Sequence, residues 1–235
     1  MPQKKIYLTQ VGEVTLYRRR GNRNLRLSIT SRGSVRVSLP IWTPYDVGAA
    51  FARKNRDWIT RQLAKTTKQP LYDGCRIGKA HRLYFSINDA LGQSVKTRVT
   101  ATEVKAASGL MIDNAGVQEK LRAAGERALK LEAEQLLPRR LEELSTKTGY
   151  SAERVIIKRL SSRWGSCSST GNITLNSYLM QLPWRLIDYV LVHELVHTKH
   201  KHHGASFWDA LEIAMPGARQ LRKELRQWQT QLSPA

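Results

Sequence analysis

The segment His193-Glu194-Leu195-Val196-His197 brings two imidazoles and a carboxylate together at a spacing that hydrolytic chemistry uses. Four residues advance an α-helix by about 400°, so His193 and His197 stand one turn apart on one face. From there both rings can reach a single cation at Zn–N distances of roughly 2.0–2.1 Å. Glu194, next in the chain, is placed to hold an attacking water and take its proton. The same residues also fit two core histidines beside an ion-paired glutamate, so the surroundings have to decide. The motif lies in the apolar run Leu186, Ile187, Tyr189–Val192, Leu195 and Val196, which reads as a buried helix opened by Pro183.

A catalytic zinc usually takes three protein ligands and keeps one position open. His200, His202, His203 and Glu212 follow the motif. His200 shares the helical face of His193 but lies about 10.5 Å along the axis at 1.5 Å per residue, too far for convergence from a straight helix. It reads as an exposed, cationic helix end together with Lys201. The third ligand must therefore follow a turn, which Gly204 marks, with a histidine tolerating left-handed backbone there. Spacing leaves His202 or His203. His81, a lone histidine among strand residues, reads as structural or exposed.

The elements that position these groups follow from periodicity. Val14, Leu16, Leu25, Leu27, Ile29, Val35, Val37 and Leu39 alternate with polar residues, giving a meander of strands that ends at Pro40. Thr43-Pro44 then opens one helix carrying Val47, Ala50, Phe51, Trp58, Ile59 and Leu63. Strand candidates follow at 76–79, Leu83–Ile87 and Val95–Val99. From Val117 the period changes to that of a long helix, kinked or broken near Pro138. Short strands at Val155–Ile157 and Ile173–Leu175 precede the motif helix, and Phe207–Ala214 and Ala218–Gln231 form a helical tail. The expectation is an α+β chain with a basic, β-rich subdomain with one helix over 1–112 and a catalytic domain over 113–235.

Charge and cysteines bound the chemistry. The 235 residues carry a formal charge of +20, concentrated in residues 1–110, where 21 Lys/Arg stand against 6 Asp/Glu; residues 111–235 have 18 against 13. A solvated basic surface accounts for this, and so does non-specific phosphate contact through Arg18, Arg19, Arg20, Arg23, Arg26, Arg32 and Arg36. Few aromatic residues accompany these arginines, which argues against single-strand or sequence-specific nucleic-acid recognition. Cys75 and Cys167 are too few for a thiolate metal site or a disulfide framework. Cys167 reads as a small buried thiol rather than a nucleophile. No apolar stretch approaches the ~20 residues of a membrane span, and the N-terminus has no signal-like apolar region, so a cytoplasmic location is expected.

The stretch Arg163-Trp164-Gly165-Ser166-Cys167-Ser168, then Gly171-Asn172-Ile173-Thr174-Leu175-Asn176 and Ile187-Asp188-Tyr189-Val190, leads into His193–His197 and closes with His203 and Phe207-Trp208. This combination resembles the YgjP-like metal-dependent hydrolases, zincin-type relatives of the SprT-like and WLM proteases. The resemblance spans roughly residues 12–230. It places the third histidine six residues after the motif with Phe-Trp four and five residues beyond, and so implies His203 over His202. Where such families often have Asn before the third ligand, this chain has His202. The resemblance implies a zincin-like domain with Zn²⁺ on His193, His197 and His203, and Glu194 as general base. Trp164 and Gly165 are expected to shape a hairpin beside the motif helix. Strand residues 172–177 are expected to bind extended substrate, with Arg163, Asn172 and Tyr178 as substrate-side candidates.

Two activities fit that centre. The first is hydrolysis of a peptide bond; the second is nucleoside triphosphate pyrophosphatase activity, on UTP, which the resemblance also implies. With no Walker-type glycine loop, phosphates would have to be held by Arg side chains and the metal. A third reading, a protease recruited to nucleic acid through the basic half, rests on analogy to the SprT-like relatives.

Overall fold

Apolar–polar alternation builds four strands at the start of the chain: β1 (Gln3–Leu8), β2 (Gly12–Arg18), β3 (Arg26–Ile29) and β4 (Val35–Leu39). Leu8, Val14, Leu16, Val35, Val37 and Leu39 turn to one face and are buried with Ala49 and Ala52 of α1 (Tyr45–Lys54) and Ile59 of α2 (Arg56–Thr66). The computed structural model describes residues 3–30, 33–66, 69–228 and 232. It divides into two compact units, Met1–Gln69 and Pro70–Pro234.

The first unit departs from the expected meander in three ways. Its sheet runs β1-β2-β4-β3, with β4 parallel to β2 and antiparallel to β3, so the β3–β4 hairpin folds back along β2. β1 is an additional strand, antiparallel to β2, which the polar residues Lys4, Lys5 and exposed Tyr7 disguise. The single helix is two. At Asn55 (φ −99°, ψ 16°) the side-chain amide donates to the Phe51 carbonyl at 2.8 Å, competing with the helical ladder and ending α1. The arginines do not form one stripe. Arg26 and Arg36 share the solvent face of the sheet, whereas Arg18 donates to the Thr43 carbonyl and lies over the Tyr45 ring. Arg32 lies outside the described residues.

The second unit contains two three-stranded sheets: β5 (Arg82–Ile87), β6 (Val95–Val99) and β7 (Glu103–Ser108), ordered β5-β7-β6, and β8 (Arg154–Lys158), β9 (Gly165–Cys167) and β10 (Asn172–Asn176), ordered β8-β10-β9. In each the third strand is central, parallel to the first and antiparallel to the second, as β2, β3 and β4 also are. The strand candidate at 76–79 reduces to an isolated bridge between Arg76 and Arg82.

The expected boundary at 112/113 therefore falls inside this unit. Leu83, Val104 and Ala106 of the first sheet share one core with Leu121, Leu129 and Leu137 of α3 (Ala115–Thr148), so the strands from 82 to 108 belong with the helices that follow. The 34-residue α3 runs unbroken through Pro138. An interior proline costs about 3 kcal/mol or more, and buried Leu137 and Leu141 on either side hold the helix against that cost. Asn114 caps its start and Gly149, in the left-handed region at φ 71°, ends it. Beyond the second sheet come α4 (Trp184–Val196), α5 (Ala205–Ala214) and α6 (Ala218–Gln227). Among the described residues no helix is long and apolar enough to cross a membrane.

Two polar ties fix α3. Arg140 forks onto Asp188 of α4, with Nε donating to Oδ1 at 2.7 Å and Nη2 to Oδ2 at 2.6 Å, which anchors the motif helix to α3. Glu132 is buried and accepts from the backbone N–H of Lys79, Ala80 and His81 at 2.6–2.9 Å and from His81 Nδ1 at 2.7 Å. His81 Nε2 in turn meets the Thr100 carbonyl at 2.8 Å, so this histidine is structural and buried. Removing the carboxylate strands three backbone donors and an imidazole. We therefore expect Glu132→Ala to lower stability by about 3–5 kcal/mol in urea denaturation; a midpoint equal to wild type contradicts this role for Glu132.

Candidate metal centre

Helix α4 carries His193 and Glu194 in its last turn, and His197 is its C-cap, still right-handed at φ −63°, ψ −16°. The chain then tightens: the N–H groups of Thr198, Lys199 and His200 bond to carbonyls of Leu195 and Val196. Gly204 caps α5 with extended backbone, and no residue between 198 and 204 has positive φ. The turn expected after the motif is thus made without the left-handed residue anticipated for it. Its effect is to swing His203 back over α4.

His203 Nε2 comes to 3.1 Å from His193 Nε2 and 3.0 Å from His197 Nε2. Ligand atoms of the three residues all lie within 4.8 Å of one another. His202 and Glu212 are not in this group. The carbonyl of His202 accepts from Gly204 N–H, and Glu212 Oε1 accepts from Gly217 N–H. His200 contributes its carbonyl, which accepts from His197 Nδ1 at 2.9 Å. That bond puts the proton of His197 on Nδ1 and leaves Nε2 as a lone pair facing the other two rings.

Beneath the three rings lies Phe207, fully buried, with its centroid 4.9 Å from His193, 4.4 Å from His197 and 4.8 Å from His203. Burial on this apolar floor, reinforced by the neighbouring imidazoles, lowers the pKa of His193 to about 3. Burial also lowers those of His197 and His203. Three neutral imidazoles that point lone pairs at one spot make a donor set for a cation. Donors at 2.0–2.1 Å from a tetrahedral ion stand about 3.3 Å apart, close to the separations seen. The residues fit a metal ion.

Glu194 is 5% exposed, and burial raises its pKa to about 7, opposed by the charge of Arg163. It faces a pocket of about 280 Å³ with His193 and His203. Gly165 of β9 closes over it: a β-carbon at this position would lie 2.8 Å from both Cγ and Oε1 of Glu194. Trp164, Tyr189 and Val190 add apolar wall, and Arg222, Leu225 and Arg226 of α6 complete the lining. The Tyr189 hydroxyl lies 3.5 Å from His193 Nδ1. Cys167, whose thiol burial pushes up in pKa, donates to the Ser168 carbonyl.

The expected substrate-side residues are dispersed. Tyr178 is buried with its hydroxyl donating to Glu126 at 2.7 Å, and the Asn172 side chain donates to Thr170 within the turn before β10. Neither lines the pocket. Arg163 is exposed, and its carbonyl accepts from Asn176. Strand β10, expected to take substrate, lies between β8 and β9 and has no free edge; β8 and β9 are the edge strands, and β9 is the one beside Glu194. Sequence reading missed Tyr189 as a site residue, although it precedes His193 by one helical turn. It also missed Arg222, Leu225 and Arg226, whose i, i+3, i+4 spacing was visible but lacked any pointer to this pocket.

Comparison with known families assigns the chain to a class. The family model of the YgjP-like metallopeptidase domain matches residues 23–228. The chain belongs to the YgjP-like metallopeptidase family. As a member of that family it is a metal-dependent hydrolase, and the three-histidine group can bind the ion. No curated protein matches. Among solved structures it is similar to the metallopeptidase zymogen abylysin of Pyrococcus abyssi, at 29% identity over 38% of this chain and 91% of that one, with a TM-score of 0.35. The zymogen jannalysin of Methanocaldococcus jannaschii aligns at 22% identity over 39% and 94%, with a TM-score of 0.35.

The contact between Gly165 and Glu194 yields a direct test in this YgjP-like domain. A methyl group at 165 has to displace the carboxylate while leaving the histidines in place. We expect Gly165→Ala to keep bound metal by elemental analysis and to lose about 10²-fold in kcat/KM, the order that a displacement near 1 Å can cost. Undiminished turnover contradicts the placement.

Proposed function

We propose that the chain is a zinc-dependent metallopeptidase in which His193, His197 and His203 hold the ion and Glu194 is the general base. The observation that carries this reading is the approach of His203 Nε2 to within 3.0–3.1 Å of both His197 and His193 Nε2, with the buried carboxylate of Glu194 in the pocket that His193 and His203 line. A zinc ion held by these three histidines would supply Lewis-acid chemistry and would lower the pKa of an attacking water toward ~7.

The chain's own groups do the rest. Glu194, with its proton affinity raised by burial, accepts a proton from the attacking water and returns it to the leaving amine. Phe207 keeps water from beneath the imidazoles, and the His200 carbonyl holds the His197 ring in register. β9 offers an unpaired edge beside Glu194, where an extended peptide can add as a strand.

His193→Ala, His197→Ala and His203→Ala should each lose the metal by elemental analysis, while His202→Ala keeps it; loss on His202→Ala alone contradicts the ligand set. Glu194→Gln should retain the metal and lose about 10²–10⁴-fold in peptide hydrolysis, the usual worth of a general base. Casein and UTP offered to the zinc-loaded protein separate the two activities. Cleavage of UTP but not casein, abolished by Glu194→Gln, contradicts the peptidase reading.

A further inference from the structure

The pocket that holds Glu194 is basic on its far lining, and its arginines have no acid to answer them. Arg222 and Arg226 stand one turn apart on α6 and line it together with Leu225 and Trp164. Three other arginines of this unit carry ion pairs: Arg140 with Asp188 and Glu143, Arg159 with Glu126, and Arg185 with Glu224. Glu224 is the sole acid of α6, and Arg185 takes it. Among the described residues neither Arg222 nor Arg226 has an ion-pair partner, and Glu194 is the only carboxylate lining the pocket.

Arg222 is also held in place. Its guanidinium lies over the Trp208 ring, 4.7 Å from the centroid, and Arg219 packs on the same ring at 5.0 Å. Stacking occupies the flat face of a guanidinium and leaves its N–H edge available, the edge that binds a carboxylate in fork geometry. Trp208 follows Phe207, so the ring that steadies Arg222 belongs to the helix that floors the three histidines.

We propose that Arg222 and Arg226 form a carboxylate subsite that fixes an acidic group of the substrate close to the reacting bond. This rests on the peptidase reading, in which such a group is the C-terminal carboxylate of the peptide or an Asp or Glu side chain next to the cleaved bond. The apolar lining from Trp164 and Leu225 suits the non-polar part of the same residue, and a pocket of about 280 Å³ has room for a residue or two. The edge of β9 is only three residues long, so backbone pairing alone holds little of a substrate. A charged anchor beside it fixes where along the peptide the bond falls.

Calorimetric titration of the full-length, zinc-loaded protein with 3-phenylpropanoate and 3-phenylpropanamide reads this subsite without any peptide bond being cut. Because a metal also attracts carboxylates, the comparison lies between wild type and the variants Arg222→Gln and Arg226→Gln. We expect the preference for acid over amide to fall about 10- to 100-fold in the variants, the worth of charge-assisted hydrogen bonds, with amide affinity unchanged. An acid-to-amide ratio equal in wild type and both variants overturns the subsite. Phenyl phosphate showing a larger arginine dependence than the carboxylate overturns it in favour of a phosphate site. Three peptides of one sequence then identify the source in the Glu194→Gln background: free C-terminus, amidated C-terminus, and amidated with a final Glu. Arginine dependence confined to the first assigns the terminal carboxylate, and dependence in the third assigns the side chain. Failure of the peptidase reading is seen separately, as casein left intact by wild type.

Discussion

Everything around the centre serves to bring His203 Nε2 within 3.0–3.1 Å of the Nε2 atoms of both His193 and His197. Two of the rings come from adjacent turns of α4, and their spacing follows from helix geometry. The third arrives through a turn of six residues, and its position is the one that can be lost. Phe207 fixes it from below. A single buried ring within 4.9 Å of all three imidazoles makes the floor common to both helices, so α5 cannot shift without disturbing the whole set. The Arg140–Asp188 fork fixes α4 to α3 from the other side.

Burial then sets the chemistry. The apolar surroundings that lower the proton affinity of the histidines also raise that of Glu194, so one environment suits both the proposed ligands and the proposed base. Gly165 is the counterpart on the sheet side. The strand approaches Glu194 so closely that no side chain fits, and the edge of that strand is thereby brought to the pocket. A pair of helices carries the proposed chemical groups, while a short strand supplies the wall against which a substrate would lie on the peptidase reading.

Much of this could be read from the residue order, and the parts that could not have physical causes. The His193/His197 spacing is a local property of a helix, and the apolar run around it marks the helix as buried. His203 follows a turn whose shape depends on packing against Phe207, so spacing alone left His202 equally eligible. Tyr178 and Asn172 belong to the stretch nearest the motif in sequence, yet Tyr178 faces Glu126 and Asn172 closes a turn. Closeness along the chain said nothing about which way those side chains point. The arginines of α6 lie about thirty residues from Glu194 and reach its pocket only through the packing of α6 beside α4. Strand order was hidden for a similar reason: alternation shows which face is buried but not which strand is the neighbour, and each sheet pairs a strand with the one two before it, β4 beside β2, β7 beside β5 and β10 beside β8. The early strands β5–β7 resemble the first unit in composition, and only their shared core with α3 assigns them to the second.

X-ray absorption at the zinc edge of the loaded, full-length protein tests the central claim most directly. We expect three imidazole nitrogens at about 2.0–2.1 Å, and no sulfur scatterer, since Cys167 lies outside the donor set. The His203→Ala protein should retain no ordered three-nitrogen shell. A sulfur at about 2.3 Å, or a shell with fewer than three imidazoles in the wild type, contradicts that claim.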